Sequence, residues 1–330
     1  MSLPELVPVL FITYVAIGLA EPKTIGVSLV FALAIILGIK RGERIEWKDG
    51  SFEIDDKYVN YALWISIGII AYQIVRLGSV PLLNPTIRTH LDPRLTALTY
   101  FLGVPSSVYL FLKGKKQALL YPIAVSLYAY RTPVLVSAIA IGSAYYENAR
   151  LNGNLDIKKL MGILTGGAGL FLLITLLRGN GLSSLWVRFQ STVSALDVIV
   201  WRGDWSGTYG GQLQWAGMAS YIWGGYSPRG LIAKFLYVHT GATITATLLG
   251  GMYLDFGIFA VVEGFILGLY YGAISKAFHP LTRALYYSTL AYGIVGVETG
   301  ILDLPVYALF ILGAYSVYRG WKVMKKGETN

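Results

Sequence analysis

Residues 24–40 read TIGVSLVFALAIILGIK, and the only charge in the stretch is Lys40 at its end. At ~1.5 Å of rise per residue a helix of this length reaches ~26 Å, close to the ~30 Å of hydrocarbon in a bilayer. Runs of the same character recur at 3–20, 58–77, 95–112, 117–130, 132–147, 159–177, 243–275, 283–300 and 305–320. Together they predict an all-α, polytopic integral membrane protein with about ten transmembrane helices.

Composition agrees. The 330 residues are 55% hydrophobic and 14% charged, whereas soluble domains carry about 25% charged residues. Leu3–Ala20 is followed by Glu21-Pro22-Lys23 and not by a small-residue cleavage site, so it reads as a retained helix. The absence of cysteine excludes disulfides, thiolate nucleophiles and Cys-ligated metals.

The formal charge of +9 is distributed over short loops between apolar runs. That argues against a nucleic-acid surface and for membrane orientation. Segments 40–57, 113–116, 150–159, 276–283 and 319–326 hold 17 of the 27 basic residues and fall on one side. This side is predicted to be cytoplasmic in the cell membrane, with both termini on it.

The two sides differ in kind. The cytoplasmic set is 12 Lys and 5 Arg, and the outer set is 8 Arg and 2 Lys. Arginine presents a planar fork that matches phosphate oxygens, so the outer face is expected to meet an anionic ligand such as a phosphate or diphosphate.

Two segments depart from simple spans. Gln117–Glu147 must leave and return to the cytoplasm within 31 residues, giving arms of ~22 Å each. Its apex, Tyr130-Arg131-Thr132-Pro133, then puts Arg131 below the outer surface, where an ionisable residue needs a partner or water. Thr240–Lys276 contains Gly250-Gly251 and Asp255-Phe256-Gly257, and is expected to insert partly, break and then span.

Residues 1–330 are expected to form a single transmembrane domain in which 178–241 is a long extracytoplasmic loop with amphipathic segments. This loop carries Trp186, Arg188, Trp201, Arg202, Trp205, Trp215 and Arg229. Aromatic rings of this kind sit at headgroup level and stack on sugars. Three histidines and no acidic cluster on the outer side give no support for a metal, and no Walker, dinucleotide or His-Glu-x-x-His motif is present. No cofactor is expected.

In Val80-Pro-Leu-Leu-Asn-Pro85 with Arg88, in Arg131 at the hairpin, and in Thr247-Leu-Leu-Gly-Gly-Met-Tyr-Leu-Asp-Phe-Gly257, the chain resembles the Wzy-type O-antigen polymerases. These oligosaccharide repeat unit polymerases are related to the O-antigen ligases. The resemblance implies a GT-C-like, metal-independent, inverting membrane glycosyltransferase that joins polyprenyl-diphosphate-linked oligosaccharide repeat units on the extracytoplasmic face. Donor and acceptor would both be lipid-linked, membrane lipids would surround the protein, and a chain-length regulator would be a further partner.

The same chemistry assigns roles. A departing diphosphate needs fixed positive charge, expected first from Arg131 and Arg188 and then from Arg88, Arg202 and Arg229. The acceptor hydroxyl needs a base, for which Asp255 and His239 are the candidates ahead of the deeper Glu263. Trp201, Trp205, Trp215 and Tyr253 are the glycan-binding candidates. An O-antigen-ligase-like glycan transferase and a transporter or flippase of lipid-linked oligosaccharide are the competing readings. The second is disfavoured because the two irregular segments do not correspond as repeats would.

Overall fold

Helix boundaries follow from capping chemistry at both ends. In a computed structural model, α1 (Leu6–Ile17) leads into α2 (Pro22–Gly42), which starts on Pro22 and carries Lys40 and Arg41 in its last turn. Proline at the first turn has its φ preset, and the cations complement the helix dipole. Asp55 caps α3 (Asp56–Leu77) by accepting from the Lys57 amide, and Gly78 ends it with φ +65. Asp92 caps α4 (Pro93–Leu112), and α5 (Leu120–Ser126) and α6 (Arg131–Leu151) follow.

Asp156 caps α7 (Ile157–Leu177) through the Lys158 and Lys159 amides. Next come α8 (Ser183–Arg202), α9 (Gln212–Ile222), α10 (Pro228–Phe235), α11 (Thr247–Phe256), α12 (Ala260–Ile274), α13 (Pro280–Thr299) and α14 (Leu304–Glu328). The structure describes residues 2–49, 54–151, 153, 156–178, 181, 183–238 and 244–328, and among them every regular element is helical. Pro22–Gly42, Asp56–Leu77, Pro93–Leu112, Ile157–Leu177 and the broken helix Thr247–Ile274 are long and apolar enough to cross a membrane. The chain is a polytopic, all-helical membrane protein.

Two expected spans take a different form. The first arm of the hairpin is a 3-10 turn, Lys116–Leu119, and a seven-residue α5, which is only ~10 Å long. It stops because the Leu127, Tyr128 and Ala129 amides turn back to Ala124, Val125 and Ser126, leaving Ala129 at φ +58. The second arm, α6, runs four residues past Glu147, whose carboxylate accepts from the Tyr287 hydroxyl at 2.9 Å. Thr247–Ile274 breaks at Gly257, with φ +57 and a 3-10 turn to Phe259.

The chain divides into two compact units. The first comprises Met1–Glu46, Ser184–Lys276 and Tyr292–Tyr307. Its most extensive packing joins α2 and α12. Gly264, Gly268 and Gly272 lie against Phe31, Ile35 and Ile39 in the same order, so the two helices run parallel. A Cβ at Gly268 would lie 2.0 Å from the Ile35 carbonyl oxygen, and one at Gly38 would lie 2.1 Å from that of Phe265. Small residues at four-residue spacing let the backbones touch, which replaces the hydrophobic drive that lipid cannot supply.

The second unit comprises Trp47–Ser183, Ala277–Ala291 and Ala308–Asn330. Here α3 packs on α4, α4 on α6 and α6 on α7. The Tyr121 ring fills the place of a side chain at Gly103, where a Cβ would stand 2.0 Å from it.

Candidate functional site

Gln73, buried in α3, organises the hairpin end of the second unit. Its amide nitrogen donates to the Tyr128 hydroxyl at 2.6 Å and reaches Thr96 on α4 at 3.4 Å, while its oxygen accepts the Asp92 amide at 2.8 Å. One side chain thus ties α3, α4, the loop before α4 and the hairpin apex together. The Leu82 amide also donates to the Leu127 carbonyl at 3.0 Å. A buried amide with all its groups satisfied specifies one arrangement of its neighbours.

That arrangement brings arginines to Tyr130. The Tyr130 hydroxyl donates to the Arg88 carbonyl at 3.2 Å, and the Arg88 guanidinium lies 5.9 Å over the Tyr130 ring. The charge of Arg178, at the end of α7, also reaches Tyr130. Arg131 is the next residue, buried at the first position of α6, with its guanidinium 5.7 Å over the Phe171 ring. Among the described residues the buried Nη1 of Arg88 has no hydrogen-bond partner. A helix N-terminus already carries partial positive charge, so a buried Arg131 there makes a strongly anion-attracting spot.

In the first unit the arginines are engaged differently. Arg229 makes a two-pronged pair with Asp303 at 2.9 and 2.7 Å, and Nε of Arg188 donates to Glu298. Arg202 is exposed and lies 5.6 Å over the Tyr237 ring. Arg88 and Arg131 are therefore brought together in one unit, while Arg188, Arg202 and Arg229 belong to the other. Arg178 joins the first pair although the resemblance did not single it out. Its signal in the sequence was membership of the Arg-rich outer face.

The broken helix of the first unit is clasped by residues 203–211. The Thr208 and Tyr209 amides both donate to the Leu254 carbonyl, the Gly210 amide to that of Asp255, and the Ile258 amide to that of Trp205. Two glycines permit this approach. At Gly257 (φ +57) a Cβ would stand 1.9 Å from the Trp205 carbonyl oxygen, and at Gly207 (φ +95) 2.1 Å from that of Asp255. Burial pushes the Tyr209 phenol above its ordinary range, with the Asp255 charge adding to the effect. It stays a neutral donor toward the Leu231 carbonyl.

Within this clasp the Asp255 carboxylate is fully buried and accepts the Leu213 and Gln214 amides at 2.9 Å each. It caps the start of α9 through both oxygens. Gln214 also donates through its side chain to Glu263 at 2.6 Å. Tyr253 is 5% exposed and packs beside Gly203, which leaves no open ring face for a sugar. Trp201, Trp205 and Trp215 are each more than half exposed, and Trp215 lies 5.8 Å from Trp223. His239 lies outside the described residues. Among the described residues no cluster of three or more His, Asp or Glu side chains has the arrangement of a cation site.

The family model described as "Putative O-antigen polymerase" matches residues 1–310. An uncharacterized protein of Methanocaldococcus jannaschii, MJ0419, is 30% identical over 274 residues, covering 78% of this chain and 75% of the relative. No solved structure matches the chain.

Proposed function

The chain belongs to the O-antigen polymerase family, and from that premise we propose that it is a membrane glycosyltransferase that polymerises lipid-linked oligosaccharide repeat units. The donor glycan leaves a polyprenyl diphosphate and passes to the free end of a second lipid-linked unit on the extracytoplasmic face. The reaction inverts the anomeric carbon in one displacement and uses no metal. Residues 1–330 act as one GT-C-like transmembrane domain in the plasma membrane, with ten hydrophobic segments and both termini in the cytoplasm.

The approach of Arg88 and Arg178 to Tyr130, next to the buried Arg131 that starts α6, is the observation that carries this reading. Fixed guanidinium groups stabilise charge on a leaving diphosphate without reorganising. Arg229, held by Asp303, orients α10 instead. The exposed rings of Trp201, Trp205 and Trp215 offer stacking faces for the glycan. The common direction of α2 and α12 supports the topology, in which both pass from the outer face to the cytoplasm.

The test is incubation of the purified, detergent-solubilised protein with lipid-linked oligosaccharide from its host, without ATP or added metal, followed by gel analysis of the glycans. A ladder at repeat-unit spacing is expected, and Arg131→Ala abolishes it. Unchanged glycan length with a verified donor and acceptor refutes the polymerase reading.

A further inference from the structure

Gln73 is an amide inside α3, a helix of membrane-crossing length, and is 2% exposed. An apolar side chain would fill the same space without the cost of burying a polar group. What the amide adds is direction, because each of its hydrogen bonds requires a partner at one distance and angle.

Two of these bonds lead to the segments that carry arginines. Through Oε1, Gln73 accepts the backbone amide of Asp92 at 2.8 Å, four residues beyond Arg88. Through Nε2 it donates to the Tyr128 hydroxyl at 2.6 Å, three residues before Arg131. Asp92 is fixed in turn, because its carboxylate accepts the Arg94 and Leu95 amides at the start of α4. The Tyr130 hydroxyl joins the two segments again by donating to the Arg88 carbonyl at 3.2 Å. The backbone at Arg88 and the backbone at Arg131 are therefore both referred to one side chain, within the second unit alone.

The hairpin needs this hold. Ala129, between Tyr128 and Tyr130, has φ +58, a conformation that strains a residue bearing a Cβ and persists only where its neighbours determine it. The turn there swings the chain out of α5 and into α6, and so aims Arg131. Release of Tyr128 frees Ala129 to return to ordinary backbone angles, and the start of α6 moves with it.

Two guanidinium groups at a fixed spacing distinguish a diphosphate from a monophosphate. Each phosphoryl group meets its own fork, and the second contact forms on a molecule that the first already holds. Resting on the diphosphate site of the polymerase reading, we propose that Gln73 is a positioning residue that sets the spacing of Arg88 and Arg131 and thereby selects a lipid diphosphate over a lipid monophosphate.

The experiment measures binding of farnesyl diphosphate and of farnesyl monophosphate to the detergent-purified full chain by titration calorimetry. Gln73→Met keeps the length of the side chain and loses both bonds. Tyr128→Phe removes one hydroxyl and keeps the buried ring, so it serves where the first variant does not fold. Ser107→Ala is the control, since the Ser107 hydroxyl donates to the Ala118 carbonyl at 2.6 Å and its loss loosens the same hairpin at the other end. Wild type is expected to prefer the diphosphate. That preference falls about 10-fold in Gln73→Met and Tyr128→Phe through weaker diphosphate binding, with monophosphate affinity within about threefold of wild type. Ser107→Ala lowers the melting temperature and keeps the preference. An unchanged preference in either folded apex variant, or an equal loss in Ser107→Ala, overturns the proposal, as does a wild type that binds the two ligands alike or binds neither. A wild type that shows the preference, loses it in the apex variants and yet makes no glycan ladder refutes the polymerase reading and leaves the role of Gln73 standing.

Discussion

Arg88 and Arg178 act on the Tyr130 phenol and Arg131 lies over the Phe171 ring, whereas Arg188 and Arg229 each meet a carboxylate. A guanidinium paired bidentately has its charge and its fork already used, and what it contributes is the position of the helix that carries it. Arg88, which stands over the Tyr130 ring, has a buried Nη1 with no hydrogen-bond partner among the described residues. Both groups were equivalent members of one Arg-rich outer face on counting, and the fold separates them into a set suited to an anion and a set suited to architecture.

That separation breaks if both groups respond alike to substitution. The largest effect is expected for Arg131→Ala, which lowers the polymerisation rate per folded molecule at least ~100-fold, measured from ladder formation over time. An effect under about threefold removes Arg131 from the anion-binding set. Next comes the Arg229–Asp303 pair, whose side chains are 25% and 23% exposed. A double-mutant cycle with Arg229→Met and Asp303→Asn should return a coupling of about 2 kcal/mol in thermal stability, between surface and buried values. Additive effects would make the pair incidental.

Arg88→Lys retains a charge but loses the planar fork. It is expected to slow turnover by about 10-fold (~1.4 kcal/mol) with the melting temperature preserved, and full activity would show that a point charge suffices there. The smallest effect belongs to Arg188 and Glu298, at 42% and 35% exposure. Screening holds their coupling below ~1 kcal/mol. A melting cycle that gives more than this, or an Arg188→Ala variant as inactive as Arg131→Ala, would move Arg188 across to the other set.

The membrane class and the helical architecture were legible in the chain because hydrocarbon requires ~20 apolar residues with internally paired backbone, and that requirement is local. The same held for Gly257, since a glycine beside an acidic residue interrupts an apolar run in any context. The failure of residues 117–130 as a span was not legible, because the left-handed turn at Ala129 and the network around Gln73 depend on neighbours distant in sequence. The Gly264, Gly268 and Gly272 stripe was present in the letters, but its partner helix more than two hundred residues away was not.

Among the functional candidates, residue type identified which groups can bind a diphosphate, stack on a sugar or accept a proton. Tertiary structure decided which of them remain available. Asp255 and Glu263 are eight residues apart and chemically alike. Both oxygens of Asp255 accept α9 amides, whereas Glu263 accepts from Gln214 with Oε1 and its Oε2 has no hydrogen-bond partner among the described residues. Hydrogen-bond saturation is a property of three-dimensional neighbours, so no reading of the chain alone distinguishes a saturated carboxylate from one with an oxygen to spare.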